Sequence, residues 1–240
     1  MENSFSIVIP FGKHPPLLTR AVKSILSQTY ENWELIIVND GSPEEVVREV
    51  VPEDPRIHIY TQPHLNRCFA RNLGMAKAKN DWICWLDSDD AYINTYLEIC
   101  NQSINEFPEY KLFNFGSIVF RAKGARGSEQ FSDTTIREPF EHEDHIEFHS
   151  GRIATGSFFF HRSLYEELGG LPEVTSPYSL ADEAKKLFPS LLLLYGPLYL
   201  EGGKELGNPW GDDYFLYYKF TRKYKHKVLP FYLYIQYAHL

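Results

Sequence analysis

The chain has 240 residues, 43% hydrophobic and 23% charged, which fits one large α/β domain or two small ones of ordinary globular composition. A net charge of -8 argues against nucleic acid as the main partner, because binding phosphates needs a basic face. Cys68, Cys84 and Cys100 are odd in number and contain no CxxC pair, so they read as thiols in a reducing compartment rather than a disulfide frame or zinc site. MENSFSIVIP lacks the basic start and long apolar stretch of a signal peptide. No run approaches the ~20 apolar residues of a membrane span, and the most apolar stretch, LFPSLLLLYGPLYL, is broken by two prolines and a glycine. The expected location is the cytoplasm.

Phe5 to Pro10 is β-branched and ends in proline, predicting a first strand. Pro15 and Pro16 open a helix with Leu18, Ala21, Val22, Ile25 and Leu26 at helical spacing. Trp33 to Val38 predicts a second buried strand ending on Asn39, Asp40, Gly41 and Ser42, and Pro43 starts a helix to about Val51. Ile57 to Tyr60 predicts a third strand, Cys68 to Lys79 a helix, and Trp82 to Leu86 a fourth strand. Strand and helix alternating at this spacing mean βαβ units and a largely parallel sheet, whose ligands sit beyond the carboxyl ends of the strands. Neither GxGxxG nor GxxxxGK[ST] occurs, so dinucleotide and P-loop readings lack their signatures.

The fourth strand stops at Asp87, Ser88, Asp89 and Asp90. Three carboxylates crowded at a strand end are tolerable when solvated, when capping a helix, or when binding a cation. Capping is a real alternative, because a helix is predicted from about Thr95 to Phe107. Beyond it, Lys111 to Phe120 predicts one or two strands, and Arg121 to Ser150 a polar excursion. Ser157 to His161 predicts a strand, and Ser163 caps a short helix ending at Gly169-Gly170. Leu171 to Pro209 is irregular, with a helix expected over Leu180 to Phe188. GDDYFLYYKFTRKY, with an acidic start and basic end, predicts a helix complementing its dipole, and Lys227 to Tyr237 a strand ending at His239.

FSIVIP, VNDGS, ARNLG leading into WLDSDD, and GDDYFLYYKF occur in the order of the motifs of family 2 glycosyltransferases. The chain resembles that inverting family densely in its first half and at two or three points in its second. The resemblance implies a GT-A fold: a Rossmann-like α/β three-layer sandwich with a mainly parallel mixed sheet. It implies one domain over 1-240, with 1-110 binding the nucleotide sugar and 111-240 the acceptor. It further implies an enzyme that moves a sugar from a nucleotide-diphosphate donor, usually a uridine one, to an acceptor hydroxyl with inversion.

On the matching positions, Asp40 would hydrogen-bond the uracil, Pro10 and Phe11 flank the base, Lys13 reach a phosphate, and Arg71 face the nucleotide. Asp89 would ligate Mn²⁺ or Mg²⁺ bridging the phosphates, with Asp87 on the ribose or the metal's water shell and Ser88 beside them. Asp213 would deprotonate the acceptor, with Asp212 as its nearest substitute, and His239 would be a further metal ligand. Trp210 is suited to stack on an acceptor sugar. The chain departs from the family where Gly12-Lys13 replaces Tyr-Asn and where HLNRCF replaces a Gly-rich approach, which puts Lys13, His64 and Arg67 outside the pattern. Each assignment has a plainer rival: an Asp-Gly-Ser turn for Asp40, a solvated helix arginine for Arg71, an N-cap for Asp212-Asp213, and an inert chain-end histidine for His239.

The acceptor expected by resemblance is a glycan or lipid-linked glycan of a bacterial surface polysaccharide or lipopolysaccharide. The basic stretch KFTRKYKHK is a candidate for peripheral contact with the inner membrane face, or else a solvated helix end. Two rival functions use the same residues. A metal-dependent phosphohydrolase or nucleotidyltransferase would cleave pyrophosphate bonds with no acceptor requirement, and a non-catalytic nucleotide-sugar-binding module would bind without turnover.

Overall fold

A computed structural model describes residues 1–12, 15–65, 67–122, 131–137, 155–171, 220 and 223–239. Four parallel strands form its amino-terminal half: β1 (Phe5–Phe11), β2 (Trp33–Asp40), β3 (Ile57–Gln62) and β4 (Trp82–Trp85). Helices α1 (Pro15–Leu26), α2 (Glu44–Val50) and α3 (Arg67–Lys77) connect them. Every residue of β1, β2 and β4 is buried, because these strands lie inside the sheet and helices cover both its faces. Alternate side chains divide between two cores. Ile7, Ile9 and Leu35 pack with Leu18 and Val22 of α1 and Val47 of α2, whereas Val8, Ile36 and Val38 pack with Ala70 and Met75 of α3. This is the expected three-layer α/β sandwich.

The chain continues through β5 (Ala91–Tyr92), α4 (Tyr96–Glu106), β6 (Leu112–Ala122) and β7 (Phe131–Arg137). A 3-10 turn (Thr155–Ser157) then leads into β8 (Phe158–His161) and α5 (Arg162–Glu167), and β9 (Lys227–His239) follows. Among the described residues the sheet has the order β3-β2-β1-β4-β8-β6-β9-β5, with β7 paired to β6. β8 is antiparallel to β4 and β6, β9 runs parallel to β6, and β5 is antiparallel to β9. The sheet is therefore mixed, with the four parallel strands β3-β2-β1-β4 at one side and a second parallel pair, β6 and β9, in the other.

Two strands go beyond the sequence reading: β5, only two residues long, and β7, inside the polar excursion. The α5 cap differs as well. His161 is the N-cap, its Nδ1 accepting from the Ser163 amide at 3.3 Å, so Ser163 is the capped residue and not the cap. The helix expected over Leu180 to Phe188 lies outside the described residues. So does the one opening at Gly211, apart from Phe220, Lys223 and Tyr224.

Chain order reverses between β1 and β4, so the crevice beyond their carboxyl ends is a topological switch point, the usual ligand position in such sheets. α3 sits close over this part because Gly74 faces Val8. A Cβ at Gly74 would collide with the Val8 side chain. That close approach brings Arg71, one helical turn earlier, to the strand ends.

Candidate active site

Three strand ends meet at the switch point. From β1 come Pro10 and the fully buried Phe11. At the end of β2, Asn39 closes the turn on itself, its Oδ1 accepting from the Ser42 amide at 2.9 Å and its Nδ2 donating to the Ser42 carbonyl at 2.8 Å. The Ser42 hydroxyl donates to the Gly12 carbonyl at 2.8 Å, which ties the β1 and β2 loops together. Asp40 is buried, and its Oδ1 accepts from Gln62 Nε2 at 2.7 Å and from the Leu65 amide at 2.9 Å. Its Oδ2 lies 3.4 Å from His64 Nδ1, which is also 2.8 Å from the Asp40 carbonyl. Asp40 thus organises the turn after β3, a job shared by residues 62–65 that no local motif announces.

After β4 the acidic turn is not a helix cap. The N-cap of α4 is Thr95, without a side-chain cap bond, and β5 separates it from the aspartates. The three carboxylates have different surroundings. Asp87, part-exposed, accepts from Arg71 Nη2 at 2.7 Å. Arg71 is fully buried, bonds the Thr155 hydroxyl at 3.1 Å, and lies 4.8 Å over the Trp85 ring. Packing of this kind suits the flat, weakly hydrated guanidinium. Asp90 turns inward: the Tyr234 hydroxyl donates to its Oδ2 and the Tyr237 amide to its Oδ1 at 2.8 Å. Gly156 completes this support, since a Cβ there would collide with the Tyr234 ring. Asp89 and Ser88 remain half-buried at the crevice.

Burial, and after it the charges of Asp89 and Asp87, hold the Asp90 carboxyl well above the usual carboxylate range, against the lowering effect of its two β9 donors. The folded chain therefore keeps this proton where the unfolded chain has lost it. The associated stability is whole below about pH 4 and declines as pH rises toward the folded-state value. Asp90→Asn is expected to lack that decline. Urea unfolding at a series of pH values should show wild type losing ground to Asp90→Asn from about pH 4 upward, and parallel curves would refute the assignment.

The structure brings Pro10, Phe11, Asp40, Arg71, Asp87, Ser88 and Asp89 to one end of the parallel strands. Lys13, Trp210, Asp212 and Asp213 lie outside the described residues, and of His239 only the backbone, in β9, is described. Among the described residues no three His, Cys, Asp or Glu side chains gather as a protein-only metal cage. Sequence reasoning missed Thr155 and Tyr234, which act on the acidic turn from far along the chain.

A model of the family described as Glycosyl transferase family 2 matches residues 6–169. A Haemophilus influenzae protein described as an uncharacterized glycosyltransferase is 36% identical over 97 residues, which is 39% of this chain and 39% of that one. The succinoglycan biosynthesis protein ExoW of Rhizobium meliloti is 33% identical over 109 residues, 42% of this chain and 34% of its own. The chain thus spans well under half the length of these two relatives. Among solved structures, S. aureus TarS 1-349 superposes with a TM-score of 0.58 at 13% identity, covering 98% of this chain and 60% of that one. Its complex with UDP-GlcNAc gives 0.54 at 14%, covering 99% and 58%. The TarS likeness is one of fold, GT-A-like with a mixed, mostly parallel sheet. With the family model spanning more than half of its residues, the chain belongs to glycosyl transferase family 2.

Proposed function

We propose that this chain is an inverting glycosyltransferase that moves a sugar from a uridine-diphosphate donor to an acceptor hydroxyl. The observation that carries this reading is the meeting of Asp40, Arg71, Asp87 and Asp89 with Phe11 at the switch point of the parallel strands. The UDP-GlcNAc complex of TarS supports a uridine donor.

The donor set fits a divalent cation. Mg²⁺-like ions are held by one or two carboxylates together with substrate phosphates, and Asp89 and Asp87 supply hard oxygens at the crevice while Asp90 is engaged inside. Such an ion, Mn²⁺ or Mg²⁺, would act as a Lewis acid for the charge that develops on the departing diphosphate. Asp40 and the β1 end position the base, and Lys13 reaches a phosphate. Arg71 holds Asp87 in place through their 2.7 Å ion pair. Asp213, with Asp212 as substitute, takes the proton of the attacking hydroxyl, Trp210 stacks on the acceptor, and His239 would add a ligand to the ion. The whole range 1-240 serves as one unit, 1-110 for donor and 111-240 for acceptor.

The acceptor class is a surface polysaccharide or lipid-linked glycan, for which the name of ExoW gives support. The reaction takes place in the cytoplasm or at the inner membrane face, with KFTRKYKHK as the contact. No helix among the described residues is long and apolar enough to cross a membrane.

Calorimetric titration of UDP and GDP, with and without Mn²⁺, tests the reading. UDP binding that requires Mn²⁺ is the expected result. Binding of neither nucleotide would refute the nucleotide-sugar reading, and a clear preference for GDP would refute the uridine donor.

A further inference from the structure

The acidic turn has one more holder, which the chemistry above leaves unused. Arg20, on α1, donates from Nη2 to the main-chain carbonyl of Asp89 at 2.6 Å. Its guanidinium carbon also lies 3.4 Å from the centroid of the Tyr237 ring. Tyr237 in turn stacks on Phe120, with centroids 5.7 Å apart and planes at 23°, and gives its amide to Asp90. Three segments far apart in sequence, α1, the acidic turn and β9, therefore meet on one guanidinium.

The plain alternative is that Arg20 merely fills space between α1 and β9. Two observations weigh against it. The Arg20 Nε is buried with no hydrogen-bond partner among the described residues, a cost that an apolar filler such as methionine would avoid. And the bond is to the carbonyl oxygen, so it fixes the Asp89 peptide without occupying the Asp89 carboxylate. A positive charge at this point also lowers the repulsion between Asp87 and Asp89. Only arginine combines a flat stacking face with directional donors; lysine keeps the charge and loses the geometry.

We infer that Arg20 is a positioning residue for the cation-binding turn, holding the Asp89 peptide so that its carboxylate is preorganised for the metal–diphosphate. The inference rests on the function proposed above. Its test compares UDP binding in the presence of Mn²⁺ with binding of uridine, which has no phosphates to bridge to a metal. Wild type, Arg20→Lys, Arg20→Met and Tyr237→Leu are titrated side by side. The Arg20 variants are expected to weaken Mn²⁺-dependent UDP binding tenfold or more while leaving uridine affinity within twofold. Tyr237→Leu, which removes the stack but keeps the guanidinium–carbonyl bond, is expected to show a smaller loss of the same selective kind and decides the matter if the Arg20 variants do not fold. Equal losses for UDP and uridine, or no loss for either, would overturn the inference while the proposed function stands. A wild type that ignores UDP with Mn²⁺ would overturn both.

Discussion

Asp89→Asn is expected to lower kcat/KM about 10³-fold with a UDP-sugar donor and Mn²⁺, close to 4 kcal/mol of transition-state stabilisation. The size follows from the role proposed for this carboxylate. An amide keeps the shape and a neutral oxygen but lacks the charge that holds a hard divalent ion. The loss should appear in kcat and in the Mn²⁺ concentration needed for half-maximal rate, and excess Mn²⁺ should recover part of it. The fold should be little affected, because Asp89 is half-buried and the turn stays pinned by its neighbours, Asp87 on Arg71 and Asp90 on Tyr234. Asp81→Asn is the matched control, an exposed acid at the opposite end of β4. Full activity in Asp89→Asn would refute the metal site.

The second large effect is on stability, and it is asymmetric. Asp87→Ala takes a carboxylate from the buried Arg71 guanidinium, and removing one partner of a buried pair typically costs about 3–5 kcal/mol. The reciprocal change, Arg71→Met, leaves a carboxylate whose side chain is 31% exposed, against 0% for the arginine, so water can take over the lost bond. Its apolar replacement also keeps packing against Trp85. Asp87→Ala should therefore be the more destabilising by about 1–2 kcal/mol, read as a difference in urea midpoints at unchanged slope. The reverse order would mean that Arg71 draws its stability from elsewhere than Asp87.

The parallel half was legible because it obeys local rules. β1, β2 and β4 are short, largely apolar runs buried on both faces, interrupted only by Ser6 in β1 and by Glu34 and the closing Asn39-Asp40 in β2. β5 was not legible, since two residues carry no period, and β7 lies in a stretch whose composition says loop. The site shows the same division. Asp87, Asp89 and Asp90 look alike in sequence, and what separates them is what packs behind each. Arg71 lies 16 positions from Asp87 and Tyr234 lies 144 from Asp90. Helical periodicity and strand alternation report neighbours a few positions apart, so they cannot register contacts of that span. The Thr155 hydroxyl on Arg71 had no signal in sequence at all, for the same reason.

The inward turn of Asp90 onto β9 also sets an order of events during synthesis. β1 to β4 and the acidic turn are made first, and Tyr234 leaves the ribosome 144 residues after Asp90, roughly 7–30 s later at ordinary elongation rates. Until then Asp90 lacks its two β9 donors, and β9 must take its place between β6 and β5 to supply them. A nascent chain thus carries the acidic turn before the strand that holds its innermost carboxylate has been made.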